Sequence, residues 1–94
     1  MLNNLTNVYV WPNPWDIRKA QFRRVNIQNV GDAATVKIFT VSGFLVRTLS
    51  VVPSSEKAVW DLTNDSGQPV ASGLYLFLVN NGDHKALGKI AVIK

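Results

Sequence analysis

The chain has 94 residues, of which 47% are hydrophobic and 17% charged, with a formal net charge of +4 and no cysteine. This length allows one domain with a small two-layer core, and the apolar fraction excludes a disordered chain. The lack of cysteine excludes a disulfide framework and a thiolate metal site, and no apolar run approaches the ~20 residues that span a bilayer.

Short strand signals recur along the sequence, separated by turn signals, and no segment predicts a long helix. Apolar and polar residues alternate in most of these segments, which is the period of a strand with one face in a core. Ser42-Gly43 and Asn81-Gly82 each lie between two such segments and predict hairpins. Residues 16–20 suit a loop or a single turn of helix. The predicted strands are residues 8–11, 22–30, 35–41, 44–49, 58–62, 73–79 and 85–93.

Two of these strands depart from simple alternation. In residues 44–49, Val46 and Leu49 cannot both face inward in a regular strand, which predicts a bulge or two partly covered faces. Residues 73–79 are apolar on both faces, so we expect this strand at the centre of its sheet and covered on both sides. One face carries Leu74, Leu76 and Leu78, and the other carries Tyr75, Phe77 and Val79.

About seven strands, with a turn signal roughly every 8–12 residues, predict an all-β, immunoglobulin-like antiparallel β-sandwich. A small barrel is the alternative that this spacing also permits. We expect one domain over residues 1–94, with residues 1–7 as a flexible lead-in. Alternation with basic neighbours predicts the core residues. They are Val25, Ile27, Val36, Ile38, Trp60, Leu76, Leu78, Ile90 and Val92.

The sequence offers little for catalysis or metal binding. His84 is the only histidine, and we interpret it as a solvated turn residue because no nucleophile motif accompanies it. The oxygen-rich run from Asp61 to Asp65 resembles a calcium loop, but Ser66 and Ser72 stand where an EF-hand needs Gly and Glu. We therefore interpret the run as turn chemistry, and we predict no catalytic residue, no metal site and no cofactor.

The tryptophans raise the question of carbohydrate binding, because sugars stack on exposed aromatic rings. Trp60 ends a strand and is interpreted as core. Trp11 and Trp15 flank two prolines in a stiff extended segment, and they are the candidates for ligand stacking; packing of that segment is the alternative. An exposed aromatic patch would otherwise indicate a contact surface.

The basic residues do not form one coherent patch. Only residues 18–24 hold a cluster, and the remaining lysines and arginine are scattered along the strands, where lysine discourages edge-to-edge pairing. A nucleic-acid-binding protein needs a continuous basic surface. We therefore do not predict nucleic-acid binding.

Four segments together resemble a known family. The resemblance is to the immunoglobulin-like domain of the flagellar hook-capping family and to the related C-terminal, type IX secretion sorting-like domains of secreted bacterial proteins. It covers residues 8–94 and favours the sandwich over the barrel. Leu62 departs from the pattern, in which Gly follows Trp-Asp. The segments are Trp11-Pro12-Asn13-Pro14-Trp15, the hairpin of residues 36–49, Trp60-Asp61 with a polar loop and then Val70-Ala71-Ser72-Gly73-Leu74-Tyr75, and the terminal strand Lys89-Ile90-Ala91-Val92-Ile93-Lys94.

This resemblance implies a non-catalytic C-terminal module of a larger exported bacterial protein, acting in secretion sorting, surface attachment or domain spacing. The implied location is extracellular or on the cell surface. The implied partners are the preceding domain of the parent protein and secretion machinery or cell-surface components. The sequence lacks a signal peptide, and we interpret Met1-Leu2-Asn3-Asn4 as the start of a fragment cut from that parent.

In the sorting relatives the export machinery reads the terminal strand. The resemblance therefore implies Lys89, Ile90, Val92 and Lys94 as candidate sorting residues. A carbohydrate-binding accessory module and a flagellar hook-cap assembly domain are the alternative functions.

Overall fold

The computed structural model of the chain describes residues 8–20, 22–31, 34–52, 54–82 and 84–94. These residues form β-strands joined by turns, and none of them lies in a helix that could cross a membrane. The lead-in expected at residues 1–7 lies outside the described residues. The strands are β1 (Tyr9–Trp11), β2 (Trp15–Asp16), β3 (Val25–Gln28), β4 (Thr35–Thr40), β5 (Leu45–Ser50), β6 (Lys57–Trp60), β7 (Gly73–Asn80) and β8 (Lys85–Ile93).

The strands form two sheets, which confirms the immunoglobulin-like sandwich. One sheet has the order β1-β3-β6 and the other β2-β8-β7-β4-β5. Every neighbouring pair is antiparallel except β2 and β8, which run parallel. The two-residue strand β2 was not predicted, because two residues carry no alternation. Residues 16–20 were expected to form a loop or a single turn of helix, and the structure has a turn and no helix there.

The core lies between the sheets, and most of the predicted core residues are in it. Two are not: Leu76 and Leu78 are only half-buried. The buried face of β7 carries its aromatic residues, since the Tyr75 ring packs edge-on against Trp60 with centroids 5.4 Å apart. The buried predictions are Val25, Ile27, Val36, Ile38, Trp60, Ile90 and Val92, joined by Trp15, Leu62, Tyr75, Phe77 and Val79.

The outer face of β7 corrects a second expectation. This strand lies within the five-stranded sheet, as its apolar sequence predicts, but no third layer of described residues covers its leucine side. Leu74 is 39% exposed, and Leu87 of β8, which pairs with Leu78, is 69% exposed. The double apolar pattern therefore marks one core face and one open apolar face.

A bulge explains how Val46 and Leu49 of β5 can both pack against the core. Ile38 of β4 is paired with Arg47, whereas the next residue, Phe39, is paired with Leu45, so Val46 is the extra residue. The extra residue lets Leu49 be buried while Val46 also packs, half-buried, against the core. Of the two explanations that the sequence allowed, the bulge is confirmed.

Leu62 adopts a backbone conformation that favours glycine. Its φ is +65°, in the left-handed region where a Cβ is unfavourable. Its side chain is nevertheless completely buried, and its carbonyl accepts the Val70 N–H at 2.9 Å, which closes the loop. The family pattern of Gly at this position is explained by the φ angle. Burial of the leucine side chain offsets the backbone cost here.

At Leu62 we expect the glycine variant to be more stable than the alanine variant, which is the reverse of the usual order. Both remove the buried side chain, but only Leu62→Gly also relieves the left-handed strain, which is worth about 1–2 kcal/mol. In an ordinary strand Gly is less stable than Ala by about 0.5–1 kcal/mol. The urea midpoint should therefore fall less for Leu62→Gly than for Leu62→Ala. A lower midpoint for the glycine variant would contradict this account.

Candidate interaction surfaces

Only half of the candidate sorting residues are available at the surface. Ile90 and Val92 are 0% and 2% exposed and belong to the core, whereas Lys89 and Lys94 are exposed. The Lys94 N–H is bound to the Ser72 hydroxyl oxygen at 2.9 Å. A partner that reads the terminal strand can therefore contact the lysines, while the two apolar residues hold the strand in place.

The side chain of Asn13 occupies the outer edge of β8. Its Nδ2 donates to the Lys89 carbonyl at 2.9 Å, and its Oδ1 accepts the Ala91 N–H at 3.1 Å, as a neighbouring strand would do. Farther along, the Ile17 N–H donates to the Ile93 carbonyl at 2.9 Å. The outer edge of β8 is thus already paired from Lys89 onward.

Asn13 lies between two prolines in the segment that joins β1 to β2. Both Trp11-Pro12 and Asn13-Pro14 are cis peptide bonds, and β1 and β2 on either side of the segment belong to different sheets. The Trp-Pro-Asn-Pro-Trp segment therefore crosses between the sheets and presents one amide to the terminal strand. We call the contact of Asn13 with β8 the asparagine staple.

Asp16 forms an ion pair that fixes the turn after β2. Its Oδ2 lies 2.9 Å from Arg18 Nη2, and its Oδ1 accepts the Arg18 backbone N–H at 2.9 Å. The aspartate is buried and the guanidinium is exposed. The side-chain and backbone hydrogen bonds from Arg18 lower the pKa of Asp16 from 3.8 to about 2.

The lowered pKa of Asp16 predicts a specific acid dependence of stability. Because the carboxylate is favoured in the folded state, its stabilisation is full above pH ~4 and is lost as the pH falls from about 4 to about 2. The difference in urea midpoint between the parent chain and Asp16→Asn should therefore shrink over this range. Midpoints measured at pH 6, 4, 3 and 2 test this, and a constant difference would exclude the assignment.

Trp15 is not a ligand-stacking residue. Its ring is 3% exposed, and Nε1 donates to the Phe22 carbonyl at 3.0 Å. A ring enclosed in the core cannot stack on a sugar, so packing is the correct alternative for this residue. Trp11, on the outer face of the three-stranded sheet, is 49% exposed and stays available.

A shallow groove of about 640 Å³ lies beside Trp11. Phe22 is 60% exposed there, and the Arg24 guanidinium lies 4.8 Å from the centre of its ring. The lining combines exposed aromatic rings with three cationic side chains, and its described part includes no carboxylate. The lining residues are Trp11, Pro12, Lys19, Ala20, Phe22, Arg24, Asn26 and Lys57.

Arg47 fills the loop that resembles a calcium site. Its Nη1 donates to the Thr63 hydroxyl and to the Asn64 carbonyl, each at 2.9 Å. Asp61 and Asp65 lie 4.0 and 3.8 Å from the same guanidinium. The oxygen atoms of the loop are thus directed at a protein cation. In the part of the chain that the structure describes, no three His, Asp or Glu side chains converge as metal ligands would.

The same loop covers the outer edge of β5. The Asp65 N–H donates to the Val46 carbonyl at 3.0 Å, and the Thr48 N–H donates to Asp65 Oδ1 at 3.2 Å. His84 has a comparable structural role at the β7–β8 turn, where its backbone exchanges hydrogen bonds with Asn81. Sequence reasoning identified turn chemistry in both places but could not predict which strand the loop would protect.

Comparison with known proteins finds a matching family model and similar solved structures. The model of the FlgD Ig-like domain matches residues 19–85. PorZ of Porphyromonas gingivalis, an essential bacterial surface component of the type IX secretion system, is similar with a TM-score of 0.80 and 29% identity over 98% of the chain. None of the curated proteins matches the chain.

Two further structures share the fold. Dimeric latent PorU from Porphyromonas gingivalis has a TM-score of 0.62 at 23% identity, over 92% of the chain. CopC from Methylosinus trichosporium OB3b has a TM-score of 0.54 at 20% identity, over 92% of the chain and 91% of CopC. The chain spans only 12% of the PorZ chain and 9% of the PorU chain.

Proposed function

Because this chain belongs to the FlgD Ig-like domain family, we propose that it is a non-catalytic module of a larger exported bacterial protein, acting in delivery to the cell surface. The observation that supports this most directly is its similarity to PorZ, a surface component of a secretion system, over 98% of the chain. The same stretch is 12% of PorZ, as expected of a module carried by a longer protein.

The sorting information is proposed to lie in the exposed lysines of the terminal strand. Asn13 and β2 occupy the outer edge of this strand, and β7 occupies its inner edge. A partner must therefore contact side chains rather than add a strand. Lys89 and Lys94 present two positive charges, one at the middle of β8 and one directly after its end, without contributing to the core.

Charge reversal tests this proposal in the full-length parent. Lys89→Glu with Lys94→Glu keeps the apolar face of β8 and is expected to leave the parent inside the cell, whereas the unaltered protein reaches the surface. Lys19→Glu with Arg23→Glu is the matched control, because it makes the same charge change at exposed positions outside the terminal strand. Fractionation of cells and medium measures both. Normal delivery of the Lys89 and Lys94 variant would refute the sorting role.

A carbohydrate-binding accessory role is the second candidate, now carried by Trp11 and Phe22. Both rings are about half exposed and line one groove, which suits stacking against a sugar ring. Trp11→Ala should reduce co-sedimentation of the chain with insoluble polysaccharide, and Tyr9→Ala, which removes a ring of similar exposure outside the groove lining, should not. Equal binding by both variants would exclude this role.

A further inference from the structure

The outer face of the five-stranded sheet is apolar and uncovered by described residues. Leu78 lies between Lys37 and Leu87 on the neighbouring strands, and Leu76 lies between Phe39 and Lys89. Exposed apolar patches of a few hundred Å² on a soluble domain commonly mark contact surfaces. We call this surface the leucine face, and it consists of Phe39, Leu45, Leu74, Leu76, Leu78 and Leu87.

Three lysines border the leucine face on β4 and β8. Lys37, Lys85 and Lys89 are exposed on the same side of the sheet. Of the described carboxylates, Asp16 pairs with Arg18, and Asp61 and Asp65 face Arg47 at the outer edge of β5. Glu56, the remaining described carboxylate, lies in the turn before β6 on the other sheet. A surface that covers the leucine face must be apolar at its centre and acidic at its margin.

The size and the charge of the leucine face indicate whether it contacts a second copy of the chain or another domain. Four strands about 4.8 Å apart, over about five residues each, give a face on the order of 300 Å², so roughly 600 Å² would be buried by both partners together. Stable protein dimers bury about 1,200–2,000 Å², whereas domains within one chain meet over about 600–1,500 Å². Two copies would also bring lysines of like charge together, which opposes self-association.

We propose that the leucine face docks a neighbouring domain of the same longer polypeptide, through an apolar patch with an acidic margin. This inference rests on the proposed membership in a larger protein. A linker keeps the neighbour at a high effective concentration, so the small area is sufficient for docking. The docked arrangement holds the module in a fixed orientation.

Cysteine labelling tests the docking surface, because the chain has no cysteine of its own. Leu87→Cys places a thiol on the leucine face, and Ser66→Cys places one on an exposed loop as the control. Maleimide labelling of the Leu87→Cys variant is expected to be about tenfold slower in the purified parent protein than in the 94-residue chain, since a docked domain covers the thiol in most molecules. The Ser66→Cys rates should agree in both proteins.

Equal rates for Leu87→Cys in the two proteins would overturn the proposal. Slow labelling in the 94-residue chain that depends on its concentration would overturn it in favour of a second copy. Adding Lys37→Glu and Lys85→Glu to the parent should restore fast labelling, and a rate that stays slow would exclude the acidic margin. The labelling rates do not depend on delivery to the cell surface, so they stay the same if the sorting role fails. Fast labelling of Leu87→Cys in a parent protein that is delivered normally would reject the docking surface alone.

Discussion

Replacing Trp60 with alanine is expected to lower the free energy of unfolding by about 3–5 kcal/mol. The ring is completely buried, and it contacts the Tyr75 ring edge-on across the two sheets. Its Nε1 donates to the Thr63 carbonyl at 2.9 Å, so alanine leaves a cavity and also an unpaired acceptor at the start of the loop. Since small domains are stable by only about 5–15 kcal/mol, this loss approaches complete unfolding.

Urea denaturation followed by circular dichroism measures this effect. Trp11→Ala is the matched control, because it makes the same chemical change at a residue that is 49% exposed. Its midpoint should change by much less than that of Trp60→Ala. A similar midpoint for the two variants would show that the ring of Trp60 does not hold the sheets together.

Valine at position 88 is expected to destabilise the fold through the ring of Phe77. The two residues face each other across β7 and β8, and a Cβ at Gly88 would lie 2.3 Å from the Phe77 ring. Phe77 is 5% exposed and therefore has little room to move. Overpacking of this kind costs about 1–3 kcal/mol, and Phe77→Ala alone costs about 3–5 kcal/mol through its cavity.

A double-mutant cycle separates this contact from a general intolerance of valine. In the Phe77→Ala background the new side chain enters the space that the ring has left, so Gly88→Val should cost less there than in the parent chain. The free energies of unfolding of the four proteins give the coupling directly. Additive losses would mean that valine disturbs β8 for a reason other than the ring.

Most of the fold could be predicted from alternation and turn residues, because these reflect local backbone physics. Strands such as residues 85–93 were predicted with the bounds observed, and Val46 with Leu49 indicated either a bulge or two partly covered faces. The inward face of residues 73–79 could not be chosen in this way, since both faces are apolar. Gly88 on the partner strand makes room for Phe77, and only the register across β7 and β8 brings these two residues together.

The surfaces were harder to predict than the core. Trp11 and Trp15 have the same local setting, yet one ring is exposed and the other is buried, because the chain changes sheets between them. In the asparagine staple, Asn13 contacts Lys89 and Ala91, which follow it in the chain by 76 and 78 positions. A contact of this span leaves no periodic signal in the sequence, so it could not be predicted.

The asparagine staple also determines how the module bears load. β2 and β8 run parallel, so a force applied between the start of β2 and Lys94 slides these strands past each other along their length. The staple and the Ile17–Ile93 hydrogen bond then resist together, instead of opening one after another as in a hairpin pulled from its open end. If a protein were held through this module at one side and pulled by flow at the other, the force would therefore act as shear on the pairing between the first and last described segments.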